Sequence, residues 1–452
     1  MLSTATDPLS SAGIPSDQIE LIDRPKLYRR VALRLMPFIL ICYIVNAIDR
    51  TNISMAQLRL EKDLGFSAEV FGIGLGLFYV GYVLAEVPSN LLLSRIGLRK
   101  TLLRIMTLWG AMSCATMFVT TPAQFYAVRF LLGLFEAGFY PGILLYITMW
   151  FPSGYRARIT ALFMMGSPAA SAIGSPLSGG IMVGMEGVGG LYGWQWMFLL
   201  EGLPAILLGI AVMFVLTDRP CDARWLSPTE KAAIADDFSV DEAARSSSGH
   251  GGYLGLLRDP PFYALAFAIM STYALINSAY WTPLLLREAG MKSVANIGFM
   301  AAVPPLLTIV AMFFFARHSD KVRERRWHYF GTLAVGASAV LLLATLPPSP
   351  TLVVLLSGIV MSCTYSSGTL LPGIFSSFMA PNLRPAGMAL LTSMGALGSV
   401  ITPIAIGRFR VVTGSYSAAL LVLCGVVALA AILFIFVIPK ERFQEPLAQP
   451  TR

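Results

Sequence analysis

Charge is what this chain has least of. Among its 452 residues only 13% are Asp, Glu, Lys or Arg, against 56% hydrophobic residues. Soluble domains carry about a quarter charged residues, so a water-soluble globular protein is excluded and lipid is the main solvent of this one. Histidine is scarce at 3 residues. The 5 cysteines (Cys42, Cys114, Cys221, Cys363, Cys424) are scattered, all but Cys221 in apolar runs. With no C-x-x-C and no Cys/His pair, neither a metal site nor a disulfide framework is indicated, and free buried thiols are expected. The chain also lacks H-E-x-x-H, G-x-S-x-G and aspartates paired at catalytic spacing, which argues against an enzyme embedded in the membrane. It has no polar segment long enough for the output domain of a sensor. The net charge of +8 would suit nucleic acid if the basic residues clustered. They fall instead in short loops between apolar runs, which is a topology signal.

Those runs make up most of the chain. A helix needs about 20 apolar residues to cross the hydrocarbon core, and that rule marks twelve spans: 33–55, 69–93, 101–120, 123–150, 158–183, 194–216, 260–286, 295–317, 329–346, 351–378, 385–408 and 416–438. The expected fold is therefore an all-α membrane protein of two six-helix bundles, 33–216 and 260–438. A linker, 217–259, joins them and holds the flexible composition Ser246-Ser-Ser-Gly-His-Gly-Gly252. Short tails, 1–32 and 439–452, flank the bundles. The first 23 residues are polar and partly acidic, without a signal-peptide pattern, and the basic cluster Arg24, Lys26, Arg29, Arg30, Arg34 directly precedes the first span. Lys and Arg concentrate in the tails, the linker and alternate loops. The positive-inside rule then puts both termini and the linker in the cytoplasm.

Against this background the few charges inside spans stand out. In Tyr43-Ile-Val-Asn-Ala-Ile-Asp49-Arg50-Thr-Asn52 an acid and a base are neighbours at the end of an apolar run. In Arg129-Phe-Leu-Leu-Gly-Leu-Phe-Glu136 they lie seven residues apart, close to two helical turns, and share a face. A charge in the apolar part of a bilayer costs about 2.5–3.5 kcal/mol on insertion scales, and such residues usually face a cavity or one another. Four of them point to a path for something charged. Simple ion pairing between helices is the competing account, although buried pairs add little net stability.

In order along the chain, Asp49-Arg50-Thr-Asn52, Phe78-Tyr79-Val-Gly81-Tyr82, Glu86-Val-Pro-Ser-Asn90, Arg129-Phe-Leu-Leu-Gly133-x-x-Glu136-Ala-Gly-x-x-Pro141-Gly142 and Ser319-Asp320-x-x-x-Glu324-Arg325-Arg326-Trp327-His328 resemble the major facilitator superfamily, and within it the anion:cation symporter family. The resemblance runs from about Arg30 to Pro439. The stretch Trp194-Gln-Trp196-Met-Phe-Leu-Leu-Glu201-Gly-Leu-Pro204 is most similar to a branch of tartrate and organic-acid carriers. It implies a proton-coupled symporter importing small organic anions, a hydroxylated carboxylate such as tartrate or a sugar acid, by alternating access. Asp49 and Glu136 would carry the coupling protons. Arg50 would hold the substrate, and Arg129 either the substrate or an acid. No cofactor is implied; the partners are a small anion, protons and the bilayer of an inner membrane, and a monomer is expected. Buried acids near arginines suit this chemistry, because desolvation favours the neutral acid and a cation the charged one, so a change of partner moves a proton.

Other positions fit such a path less specifically. Tyr79 and Tyr82 offer rings and hydroxyls to a small hydroxylated acid, or they pack the core. Glu86, one turn on, suits an ion pair with a loop arginine. In the second half, Tyr273, Asn277 and Tyr280 share one face, and Ser362, Ser366 and Thr369 another; both sets suit hydroxyl binding or interhelical hydrogen bonds. The basic loops with Arg95 and Arg99, and with Asp320, Arg325 and Arg326, either set topology only or latch helix ends that part on rocking. His318 and His328 belong to this basic edge. The chain departs from many relatives at Gly395-Ala396-Leu397-Gly398, where they carry Gly-Asn-Leu-Gly, so a galactonate-like specificity is not implied. Export of organic anions or drugs by proton antiport is the alternative function, and a multi-pass sensor a remote one.

Overall fold

The computed structural model describes residues 19–245, 258–322, 324–379 and 384–443; the Ser246–Gly252 stretch and the C-terminal residues from 444 to Arg452 lie outside them. The described residues form helices and loops, with no strand. In chain order the helices are α1 (Arg24–Leu64), α2 (Ala68–Ile96), α3 (Leu98–Ala115), α4 (Pro122–Glu136), α5 (Phe139–Trp150), α6 (Ser153–Met164), α7 (Gly166–Gly184), α8 (Gly193–Val215), α9 (Pro228–Arg245), α10 (Pro260–Ser278), α11 (Thr282–Glu288), α12 (Val294–Ala301), α13 (Val303–Val322), α14 (Arg326–Thr345), α15 (Pro350–Phe378), α16 (Arg384–Thr413) and α17 (Ser417–Val437).

Among the described residues, 11 helical segments are long and apolar enough to cross a membrane. The expected fifth span is the exception. It is broken between α6 and α7, and α7 is built largely of Gly, Ser, Pro and Ala, too weakly apolar to qualify by itself. It nevertheless packs between α1 in the first half and α12 and α13 in the second, where small residues let backbones approach closely. The linker also departs from a simple tether. Its first part is α9, whose Glu230, Asp236 and Asp237 bond to Arg30, Arg24 and Tyr28 at the start of α1.

Local chemistry sets the helix ends. Asp23 caps α1, accepting from the Lys26 amide at 3.1 Å, and Gly65 closes that helix at φ 69. Span four breaks at Gly138, which has φ +94 and no room for a β-carbon because Ser89 Oγ occupies that place. The break makes Glu136 the last residue of α4. The carbonyl end of a helix disfavours an acid there, so a counter-charge must come from elsewhere.

The two halves meet along α2–α16 and along α7 with α12 and α13. Gly72 faces the Pro403 carbonyl, Gly407 that of Ala68, and Gly298 that of Ser175. Ion pairs Arg287–Glu61 and Arg408–Glu69 (2.9 Å) join the halves at the same end, where α1 finishes and α2 begins. Val87 lies eleven residues beyond Gly76, three turns along the same face of α2, yet it is 66% exposed. The halves therefore close at one end and separate toward the other, where α1 starts.

Candidate functional site

Adjacent residues on a helix point about 100° apart, so Asp49 and Arg50 do not pair with each other. Arg50 shares a face with Asn46, one turn earlier, and both reach Glu136. Asn46 Nδ2 donates to Glu136 Oε1 at 2.7 Å, and Arg50 Nε bonds the same oxygen. Glu136 is fully buried, and its Oε2 has no hydrogen-bond partner among the described residues. The acid stranded at the end of α4 thus obtains its counter-charge from α1. The Arg50 side chain remains 26% exposed, which opens it to the space between the halves.

Asp49 turns the other way, into the first bundle. It accepts from Trp109 Nε1 at 2.7 Å, from Ser113 Oγ, and from Asn52 Nδ2 at 3.3 Å. All three donors are neutral. Arg129 is 3% exposed, and its guanidinium lies 4.9 Å from the Phe78 ring centroid. It makes no ion pair or hydrogen bond among the described residues, and its Nε is buried without a partner. Arg50 lies over the same Phe78 ring at 5.6 Å and over Tyr82 at 5.1 Å. Phe78 thus serves two guanidinium groups, an arrangement worth about 0.5–2 kcal/mol per contact. Of the four charged residues, only Arg50 has a partly exposed side chain; Asp49, Arg129 and Glu136 sit behind it.

Half-buried tyrosines surround Arg50. The Tyr79 hydroxyl meets that of Tyr280 across the halves at 3.3 Å, and Tyr365 meets Ser167 across them at 2.9 Å. Tyr43 stacks on Phe163 at 4.2 Å and lies 6.1 Å from Tyr140. Each carries a hydroxyl in the middle of an apolar helix, where a polar tip needs a partner or water. The expected wall of the second half is more withdrawn. Asn277 is fully buried and donates to the Tyr273 carbonyl and to Ser399 Oγ on α16, at 2.7 and 2.8 Å. Ser366 is 3% exposed, and Thr369 Oγ1 donates to its carbonyl at 2.7 Å. In this conformation Tyr280 and Tyr365 bring the second half to the site, while Asn277 and Thr369 bond within their own half.

The basic loops also act within single halves. Arg99, at the start of α3, bonds the Met213 carbonyl near the end of α8, and its amide donates to Asp218 at 2.9 Å. Arg326, at the start of α14, bonds the Ile435 and Ile438 carbonyls at the end of α17. Each arginine caps orphan carbonyls at a helix C-terminus, and each does so at the same place in its own bundle. Arg325 donates to the Gly373 carbonyl at 3.1 Å. Arg95 is exposed, and the side chain of Asp320 lies outside the described part of the structure.

Two packed helical halves, with buried charges inside the first and Arg50 partly exposed beside them, can be compared with known proteins. The sequence model of the Major Facilitator Superfamily matches residues 39–380 and 293–452. The chain belongs to the major facilitator superfamily. This facilitator is a multi-pass membrane transporter and not an enzyme. It is 41% identical over 410 residues, 90% of this chain and 93% of the other, to a protein of Agrobacterium vitis named "Putative tartrate transporter". It is 35% identical over 418 residues, covering 92% and 96% of the two chains, to one of Acinetobacter baumannii named "Quinolone resistance transporter". The crystal structure of a D-xylose-proton symporter has the same fold, with a TM-score of 0.71 at 12% identity, over 91% of this facilitator and 99% of that chain.

Several residues of the facilitator's site were not singled out from sequence. Asn46, four residues before Arg50, could have been found by helical spacing. Phe78 opens a motif of the resemblance, which gives it no role; Trp109, Ser113 and Tyr365 carry no signal of their own, because aromatics and serines are common in membrane spans. Glu201 is different: an acid inside an apolar run is itself a signal.

Proposed function

We propose that this protein imports small organic anions together with protons, by alternating access. The observation that carries the reading is the Arg50–Glu136 pair: a fully buried carboxylate whose cation partner is, among Asp49, Arg50, Arg129 and Glu136, the one with a partly exposed side chain. A carboxylate entering that space competes for the planar guanidinium, which suits bidentate carboxylate binding. Glu136 then loses its counter-charge in a low-dielectric setting and takes up a proton. Anion and proton bind together, which is the linkage symport requires. Asp49 is the second proton carrier, with Arg129 as the cation that compensates its charge. Tyr79, Tyr82 and Tyr280 present hydroxyls around Arg50, so the fitting substrate is a hydroxylated carboxylate such as tartrate. The name of the Agrobacterium vitis relative agrees. Asn277, Ser366 and Thr369 form the wall behind the tyrosines, and Arg95, Arg99, Asp320, Arg325 and Arg326 steady the helix ends as the halves rock.

Under the positive-inside assignment the joined ends face the periplasm, and the structure opens to the cytoplasm of a bacterial inner membrane. Export by proton antiport is the second reading, favoured by the name of the Acinetobacter baumannii relative. Purified protein in liposomes decides between them. Import predicts that tartrate uptake rises with an inward proton gradient and falls with competing carboxylates. Quinolone movement against that gradient, with tartrate unaffected, would establish export instead.

A further inference from the structure

A third acid lies in the first bundle and plays no part in the scheme above. Glu201, on α8, is 4% exposed. Ser178 Oγ on α7 donates to its Oε1 at 2.7 Å, while its Oε2 is buried with no hydrogen-bond partner among the described residues. The carboxyl forms no ion pair among the described residues, and Asn52 of the same bundle donates through Nδ2 to Asp49 at 3.3 Å. The remaining atom of that amide, Oδ1, is buried and unpartnered as well.

We infer that Glu201 is a further proton-binding residue. This rests on the proton-coupled reading of Asp49. The geometry carries the inference: the carboxyl is buried, holds one hydroxyl donor from Ser178, and leaves Oε2 without a partner among the described residues. Ser178 from α7 and Asn52 and Asp49 from α1 are the polar groups that act on it, and none is a cation. An acid in low dielectric with no cation paired to it is costly to ionise and keeps its proton instead.

Position supports a role in proton access. Asn52 lies one turn beyond Asp49 toward the end where the halves join, and Glu201 lies eight residues from the start of α8 at that same end, about 12 Å along the axis. There Glu186 accepts from the Gly193 amide at 2.9 Å and pairs with Arg59 at 3.7 Å. Glu201 thus stands between Asp49 and the face from which coupling protons would come.

The test uses full-length protein with Glu201→Gln, and Glu201→Asp as the variant that keeps the acid. Infrared spectroscopy of the reconstituted protein at neutral pH should show a protonated-carboxyl stretch that Glu201→Gln removes and Glu201→Asp retains. In liposomes, the ratio of gradient-driven tartrate uptake to tartrate exchange at equal pH should fall about tenfold or more in Glu201→Gln, with partial recovery in Glu201→Asp. An unchanged carboxyl band in Glu201→Gln overturns the proposal, as does an unchanged ratio. If wild-type uptake ignores the proton gradient, the symport reading fails by itself, and the infrared band still decides whether Glu201 holds a proton.

Discussion

The two halves share one architecture and differ in chemistry. The first buries Asp49, Arg129, Glu136 and Glu201 and turns Arg50 toward the seam; at the seam the second presents Tyr280 and Tyr365, with Asn277 bonded to Ser399 behind them. The packing echoes closely. Arg99 caps the end of α8 as Arg326 caps the end of α17, and both halves offer glycines to the carbonyls of the other. The repeat therefore conserves what holds a bundle together, while the charges are confined to one copy. Every acid and arginine of the candidate site among the described residues thus lies in the first half, and the second meets them with tyrosine hydroxyls.

Six substitutions would break or sharpen that contrast. The largest effect is expected from Glu136→Gln, and from Asp49→Asn beside it. Both should lower gradient-driven accumulation of tartrate by about 100-fold while leaving some exchange, measured with labelled tartrate in liposomes. Full accumulation by both variants would mean that the charged half does not couple protons. Arg50→Lys keeps the charge and loses the fork, so tartrate affinity from thermal-shift titration should weaken about tenfold, or about 1.4 kcal/mol. An unchanged affinity would remove Arg50 as the substrate ligand. In the neutral half, Asn277→Ala removes one interhelical bond worth about 1 kcal/mol. It should lower the Tm by a few degrees and change tartrate affinity less than about twofold, whereas a loss comparable with that of Arg50→Lys would show the second half reading the substrate directly. The smallest effect belongs to Arg99→Ala and Arg326→Ala, each removing a helix-end cap of about 0.5–2 kcal/mol. Their Tm losses should match within about a degree, and a large inequality would show that one of the loops has a duty the other lacks.

Much of the architecture was legible because lipid imposes a long apolar run on every spanning helix. The exceptions have physical causes. The fifth span is hard to read because α7 gains its place from small residues and close backbone contact, which no hydropathy scale rewards. The helix breaks at Gly138, at Met165 and after Ser278 leave the apolar runs unbroken and so were invisible. For the site, intramembrane charge identified Asp49, Arg50, Arg129 and Glu136. Sequence adjacency was a poor guide to pairing: Arg50 binds Glu136, 86 positions away, and Asp49 is held by Trp109 and Ser113. The basic loops fit either topology setting or a latch between helix ends, two readings the sequence leaves open; Arg99 and Arg326 bond helix ends, each inside its own bundle.

The seam between the halves has one more implication. Where Gly72, Gly298 and Gly407 meet facing carbonyls, no side chain has to find a rotamer before the surfaces fit. The fit of the two surfaces there is set by backbone against backbone, so its precision comes from the covalent geometry of the chain and not from side-chain packing.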